Sequence, residues 1–215
     1  RRRLEPALAW QLAGVFALGA LQGVLGWYMV QSGLVDNPRV SHFRLTAHLG
    51  VALAIFVAEL WIALGLLAPG AALAPRAANA RLALLVLALV FLQALAGGFV
   101  AGLRAGLAYN TFPLMNGALV PPEWLLLEPW PMNFLYNMAT VQLVHRMLAW
   151  LIVVLVALLW WRVRAEAPSR ARLASNALLA AVLVQFGLGV ATLLTRVSLP
   201  LAALHQAGAV LLLGA

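Results

Sequence analysis

Six long apolar stretches, separated by short polar segments, set the pattern of this sequence. Each is close to the ~20 residues that a helix needs to cross the hydrocarbon core of a bilayer. A lipid-exposed backbone must satisfy its own hydrogen bonds, and these stretches lack the alternation of barrel strands, so the pattern predicts membrane-spanning helices. We expect an all-α polytopic membrane helical bundle with six spans. The predicted spans are residues 7–30, 43–67, 82–103, 138–161, 173–194 and 199–215.

The composition supports this interpretation. The 215 residues are 65% hydrophobic and only 9% charged, with a mean hydropathy of +0.97, whereas a soluble domain has roughly a quarter of its residues charged. All fourteen basic residues are arginines that cluster between the apolar stretches, so the net charge of +8 is expected to set topology, not to bind nucleic acid. Without cysteine, these residues hold no thiolate metal site, which leaves histidine as the strong soft-metal ligand.

The arginine positions predict which segments face the cytoplasm. Nine arginines fall in one set of segments and four in the other, and the richer set is expected inside. Residues 31–42, 105–137 and 195–198 should therefore face the outer side. Arg146 belongs to neither set because it lies within a span. The inner set is Arg1, Arg2, Arg3, Arg76, Arg81, Arg162, Arg164, Arg170 and Arg172, and the outer set is Arg39, Arg44, Arg104 and Arg196.

The outer segment 105–137 is unusual in composition. It holds five prolines and six aromatic residues but only two charges, Glu123 and Glu128. Proline breaks helices, so the segment is too interrupted to be one span, yet it is too apolar to lie free in water. Two interpretations stay open: a lid over the bundle, or an interfacial anchor with its aromatic rings at headgroup level.

The tripeptide RVS occurs twice, at 39–41 and 196–198, and each copy precedes a histidine, His48 or His205, by the same distance. Four spans separate the copies, so both cross the membrane in the same direction, as in a parallel repeat. The second copy has four helices and the first has two. We therefore expect a fragment that lacks about two N-terminal helices and is trimmed at its C-terminus, with a native six-helix protein as the alternative.

This repeat predicts the domain organisation. Residues 1–68 are expected to be the last two helices of an N-terminal four-helix half. Residues 69–81 are expected to form a cytoplasmic linker. Residues 82–215 are expected to form the C-terminal half, with its outer loop at 105–137, so that the chain is part of a two-fold repeated pair of four-helix bundles.

Three histidines, His48, His145 and His205, lie five to seven residues past the outer ends of their spans, roughly 8–10 Å below the surface. An ionisable side chain in hydrocarbon is costly without a partner, so each is a functional candidate. Two imidazoles at one depth in a four-helix bundle suit the axial positions of a haem iron, and His145 and His205 share the complete half. The alternative is that the rings are only hydrogen-bonded within the bundle; zinc would need three or four ligands.

Other polar residues in and near the spans have less specific interpretations. His42 is expected to be exposed at the outer boundary. Glu59 lies about three helical turns after His48 and is either part of a proton path or paired with a neighbouring helix. Glutamines beside glycines at mid-span favour close helix packing, with a cleft for a flat macrocycle as the alternative. These glutamines are Gln22, Gln93 and Gln185. Four arginines near the outer face either pair with haem propionates or only extend their charged ends to the membrane surface. They are Arg39, Arg104, Arg146 and Arg196.

Four motifs carry a family resemblance: GGFVAGLRAGLAYNTFPLMNGALVPPEW at 97–124, NMATVQLVHRMLAW at 137–150, RVSHFRLTAHLG at 39–50 and LPLAALHQAG at 199–208. Together they resemble the haem A synthase family, in particular its cysteine-free proteobacterial and mitochondrial branch. The likeness covers essentially the whole chain. It implies an eight-helix protein of two four-helix halves in a bacterial inner membrane. The implied reaction oxidises the C8 methyl of haem O to a formyl group, giving haem A for cytochrome oxidase.

Residue by residue, the resemblance implies a haem b cofactor on His145 and His205 and the substrate, haem O, near His48. The family's second substrate-side histidine, and the acidic residue three positions before it, match nothing in this chain, and Gln142 stands three positions before His145. No catalytic residue is therefore assigned, and the chain alone is expected to be inactive. The implied ligands are haem O, haem A and membrane lipid. Haem O synthase, oxidase assembly proteins and a second copy of the chain are candidate protein partners.

Two other function classes fit the histidine pattern. A bis-histidine haem b cytochrome that only transfers electrons would use the same bundle and ligands, and it differs from a synthase in making no formyl-bearing haem. A transporter would also account for a parallel repeat, but it would bind no haem and would place polar sites at the midplane.

Overall fold

The computed structural model describes residues 5–31, 40–67, 77–166 and 169–215. Its regular structure in these ranges is helical, apart from an isolated bridge between Met115 and Ala118. The chain divides into two compact units, Arg1–Leu73 and Ala74–Ala215.

The first unit contains a helical hairpin. Helices α1 (Pro6–Gln31) and α2 (His42–Leu67) pack against each other. Their outer ends are joined by Arg44, which donates a hydrogen bond of 2.8 Å to the carbonyl of Tyr28 and places its guanidinium 3.6 Å from the centre of the Tyr28 ring. This cation–π contact at the end of a span is typical of the membrane interface.

The second unit contains a ring of four helices: α3 (Ala77–Gly102), α5 (Met138–Glu166), α6 (Ser169–Leu194) and α7 (Leu199–Leu213). Each packs on the next, and α7 also contacts α3, which closes the ring. A short helix, α4 (Asn133–Tyr136), lies in the outer segment. The buried aliphatic side chains that fill the contacts include Val86, Val90, Ile152, Val156 and Val182.

Five described helices, α1, α2, α3, α5 and α6, are long and apolar enough to cross a membrane. They coincide with the first five predicted spans, and the all-α polytopic membrane fold is confirmed. Helix α7 is equally apolar but has only 15 residues. Large rings lie on the outside of the helices, with Trp10 80%, Phe16 79% and Trp61 75% exposed. Such exposure would be unfavourable in water and costs nothing against lipid.

Helix α3 begins at Ala77, five residues before the predicted span, so residues 77–81 of the predicted linker are helical. The rest of that linker, residues 69–76, lies outside the described residues. Arg1, Arg2, Arg3, Arg39 and Arg76, on which part of the predicted orientation depends, also lie outside them.

The outer segment 105–137 is folded and contains no helix long enough to span, as predicted. It holds two 3₁₀ turns, Ala105–Leu107 and Trp130–Met132, besides α4. The amide of Asn133 organises its second half: Oδ1 accepts from the Leu127 N–H at 2.9 Å, and Nδ2 donates to the Leu127 carbonyl at 2.8 Å. Because Asn133 is fully buried, these bonds satisfy an amide that would otherwise be costly to bury.

Two side chains of α5 hold the first half of this segment. The buried amide of Gln142 donates to the carbonyls of Ala105 and Tyr109 at 3.0 and 3.3 Å. The guanidinium of Arg146 donates to the carbonyls of Thr111 and Tyr109, both at 2.9 Å. Four loop bonds from one turn of α5 fix the segment to the outer end of the four-helix ring, which favours the lid interpretation over a free interfacial anchor.

Tyr109 also joins the two halves of the lid. Its hydroxyl donates a hydrogen bond of 2.8 Å to Glu123. Burial first, and then the hydrogen bond and negative charge of Glu123, raise the pKa of Tyr109 to about 12. The phenol therefore stays protonated at physiological pH and remains a donor.

The topology is testable because the chain has no cysteine of its own. We expect a cysteine at Leu119, exposed in the lid, to react with a membrane-impermeant maleimide added to spheroplasts. A cysteine at Ala78, exposed at the start of α3, should react only after permeabilisation. The reverse labelling pattern would overturn the orientation predicted from the arginines.

The anchoring role of Gln142 predicts a loss of stability in Gln142→Leu. This variant keeps the side-chain volume but removes three hydrogen bonds, two donated to lid carbonyls and one accepted from Arg146, and each hydrogen bond lost costs about 0.5–1.5 kcal/mol. We expect the free energy of unfolding in detergent, measured by SDS titration, to fall by about 2 kcal/mol or more. The matched control is Gln206→Leu on the exposed side of α7, and an equal loss in both variants would contradict the anchor.

Candidate functional site

The three span histidines lie near the N-terminal ends of their helices, which the arginine positions predict to be the outer ends. His48 follows the start of α2 by six residues, His145 follows the start of α5 by seven, and His205 follows the start of α7 by six. At 1.5 Å per residue each lies about 9–10 Å from the end of its helix. The structure places His145 and His205 in the same four-helix ring, while His48 belongs to the other unit.

Each of these histidine rings lies against a glycine on the long helix that precedes it. A methyl group built on that glycine would come within 3.4 Å of the ring carbon Cε1, tighter than nearly all real contacts. Only glycine therefore lets the ring lie directly on the neighbouring helix. The distance from this added methyl carbon to Cε1 is 3.1 Å for Gly26 and His48, 3.3 Å for Gly97 and His145, and 2.9 Å for Gly189 and His205.

A glutamine four residues before each glycine contacts the same histidine. Four residues is close to one helical turn, so the glutamine and the glycine lie on one helix face. Nε2 of Gln22 lies 3.3 Å from Nε2 of His48, and Nε2 of Gln93 lies 3.3 Å from Nε2 of His145. Nε2 of Gln185 lies 3.1 Å from Nδ1 of His205. We call each set of three residues a Gln–Gly–His triad.

The triads are the main feature that the sequence prediction missed. Helix packing was favoured for the glutamines, and nothing connected them to the histidines. One signal was available: the spacing Gln-x-x-x-Gly recurs at 22 and 26, at 93 and 97, and at 185 and 189. Only the contact between helices shows that each pair faces a histidine.

Two triads lie within the four-helix ring. One is carried by α3 and α5 and the other by α6 and α7. Several buried polar atoms of the triads have no hydrogen-bond partner in the structure. They are Nδ1 of His48 and of His145, and Oε1 of Gln22, Gln93 and Gln185.

Three aromatic rings link the lid to the outer part of this ring of helices. Phe112 of the lid stacks on Trp150 of α5 with ring centres 6.3 Å apart, and it meets Phe186 of α6 edge-on at 5.9 Å. Phe186 directly follows Gln185 in sequence, and Trp150 lies just over one turn after His145. The cluster therefore fixes the lid beside the two triads.

The arginines separate into different roles. Arg146 donates from both terminal nitrogens to lid carbonyls, and its Nε is buried without a hydrogen-bond partner. Arg104 and Arg196 each lie eleven residues after the triad glutamine of their helix, and both have a left-handed backbone, with φ of 55° and 54°. Arg196 lines an open pocket of about 640 Å³ together with Asn110, Thr111 and Asn116.

Two further sequence candidates lie apart from the triads. Glu59 is exposed on α2. His42, predicted to be exposed, is partly buried because its ring packs on Phe43 with ring centres 4.2 Å apart. Among the described residues, no three histidine, cysteine or acidic side chains converge to hold a metal ion by themselves.

Comparison with known proteins gives a consistent result. A family model described as COX15-CtaA, cytochrome oxidase assembly protein, matches residues 1–215. The chain is 54% identical to the haem A synthase of Nitrosospira multiformis over 99% of its own length and 61% of that protein. It is 48% identical to the haem A synthase of Rhodospirillum centenum over 100% of its length and 58% of that protein.

The chain thus spans about 60% of the length of the curated relatives that it matches. The family resemblance predicted from the four sequence motifs is confirmed, since the match includes all of them. The chain belongs to the COX15-CtaA family of cytochrome oxidase assembly proteins.

Proposed function

We propose that this chain is the haem-binding part of a haem A synthase, which oxidises haem O to haem A. The family match and the names of the similar proteins support the reaction class. The observation that carries the proposal for the site is the pair of Gln–Gly–His triads in one four-helix ring. Two imidazoles in a bundle of apolar helices are the donor set of a bis-histidine haem.

The residues fit a haem b cofactor on His145 and His205. Imidazole nitrogen is a good ligand for haem iron, and two axial ligands suffice because the porphyrin supplies the others. Gly97 and Gly189 let the rings lie close to the neighbouring helices, and Nδ1 of His145 is buried without a hydrogen-bond partner. When bound, haem b would accept and pass on single electrons.

The triad of the first unit supports haem O as the substrate near His48. Gln22 and Gly26 surround this ring as their equivalents surround His145 and His205. Its role as a substrate-side ligand remains part of the proposal, and no catalytic residue is assigned. Gln142, which stands where the resemblance implies an acid in the other half, serves as an anchor of the lid.

The architecture that we propose has six spans in this chain, with α7 as the sixth, and two halves related by a parallel repeat. Helix α7 is as apolar as the five longer helices, and its 15 residues are about 22 Å long. The equivalent triads of α1–α2 and α6–α7 support the repeat. Residues 1–68 then belong to the N-terminal half and residues 82–215 to the C-terminal half.

This membrane enzyme would take its substrate from within the bilayer. We propose the bacterial inner membrane as the location, with haem O synthase or oxidase assembly proteins as neighbours and a homo-oligomer as a further option.

The activity is tested with the intact protein expressed with and without a haem O supply. A synthase yields a formyl-bearing haem, seen in the pyridine haemochrome spectrum, only when haem O is supplied. Haem b alone under both conditions would favour a bis-histidine electron-transfer cytochrome, and no haem at all would overturn both assignments.

The ligand assignment predicts the spectra of three variants. We expect His145→Ala and His205→Ala to abolish the low-spin haem b band in reduced-minus-oxidised spectra, because each removes one axial ligand. His48→Ala should leave that band in place. Retention of the band in either of the first two variants would exclude that histidine as a ligand.

The close approach of glycine to the ring gives a second prediction. In Gly189→Ala the new methyl group would lie 2.9 Å from Cε1 of His205, so the ring must shift. We expect haem b affinity to fall about 10-fold, as when a residue supporting a ligand is lost. Gly187→Ala on the same helix is the control, since nothing lies within 4 Å of its added methyl group. Equal haem contents in the two variants would contradict the prediction.

A further inference from the structure

We propose that Gln93 and Gln185 are positioning residues that set the orientation of the two haem-binding imidazole planes. The inference rests on the proposed function, because it takes His145 and His205 as the axial ligands. It goes beyond that assignment by giving a role to two glutamines that belong to no ligand set.

Each glutamine holds its histidine at two points. Nε2 of Gln93 donates to the main-chain carbonyl of His145 at 3.0 Å and lies 3.3 Å from Nε2 of that ring. Nε2 of Gln185 donates to the carbonyl of His205 at 2.8 Å and lies 3.1 Å from Nδ1 of that ring. A bond to the backbone and a contact to the ring of the same residue together restrict rotation about its side-chain torsions.

The glycine of each triad restricts the ring from the other side. With Gly97 or Gly189 against Cε1, the ring is confined between the helix backbone and the glutamine amide. The two rings are held differently, however, because the amide meets Nε2 in His145 and Nδ1 in His205. Equivalent glutamines therefore give the two rings different orientations.

An amide is suited to this task by its chemistry. A ring nitrogen that binds a metal must be unprotonated, so the other nitrogen carries the proton and needs an acceptor. In the structure the amide N–H of each glutamine faces the ring nitrogen, and Oε1 of Gln93 and of Gln185 is buried without a partner. Rotation of the amide would present this oxygen as the acceptor for a ring N–H. Packing alone would not require a polar group here, since leaving an amide oxygen unpaired in a buried site is costly.

The test uses Gln93→Met and Gln185→Met in the intact, haem-loaded protein. Methionine is flexible and similar in length, so it keeps the packing and removes the hydrogen bonds. We expect the low-spin electron paramagnetic resonance g-values, which report the orientation of the imidazole planes, to shift in both variants. The midpoint potential should shift as well, and haem affinity should fall about 10-fold or more.

Two control variants separate positioning from a general effect. Gln206→Met follows His205 directly on α7 but is exposed, and it should leave the g-values unchanged. Gln22→Met changes the triad of His48 and should leave the haem b resonance unchanged. Shifts as large in either control as in Gln93→Met would overturn the inference. If Gln93→Met folds poorly, the g-values of Gln185→Met, in the other helix pair, test the inference.

The two proposals fail in different ways. If His145→Ala abolishes the haem b signal and both methionine variants keep wild-type g-values and potential, only the positioning role is overturned. If His145→Ala and His205→Ala both keep the haem b signal, the ligand assignment is wrong and the positioning role is overturned with it.

Discussion

A polar side chain inside a bilayer must find a partner within the protein, and this requirement governs the structure more than any other. Imidazole and amide groups lose several kcal/mol when they are buried without one. The protein meets part of the requirement in the same way three times, by pairing a histidine with a glutamine on the preceding helix and by placing a glycine one turn further on. The glutamine oxygens and Nδ1 of His48 and of His145 stay without a partner. The glycine lets the helices approach closely enough for the amide to reach the ring.

The same requirement explains the outer segment. A loop at the membrane surface exposes carbonyls that need donors, and α5 supplies them from Gln142 and Arg146. An acidic residue at position 142 would offer no N–H to these carbonyls, which accounts for an amide there. His145 lies between Gln142 and Arg146 on α5, so the side chains that hold the lid flank this histidine. The lid and the proposed haem site are thus parts of one structure.

Five spans could be predicted to within a few residues because length and apolar composition decide whether a segment enters the bilayer. The depth of His145 and His205 followed from the same counting. The role of Arg146 could not be predicted in this way, because an arginine near the surface has many potential acceptors. Only the structure shows that the carbonyls of Tyr109 and Thr111 are within reach. His42 was misjudged for a similar reason, since its contact with Phe43 depends on local side-chain packing.

The sequence by itself determined that this protein is an all-α membrane protein, where its helices lie, which family it belongs to, and that three histidines lie near the N-terminal ends of their helices. These properties depend on local composition and on motifs that are read along the chain. The tertiary structure decided which residues meet: that Gln93 and Gly97 face His145, that Gln185 and Gly189 face His205, and that Gln142 holds the lid. Such contacts join residues 16 to 52 positions apart. They depend on how neighbouring helices are rotated against each other, which uniformly apolar surfaces do not encode.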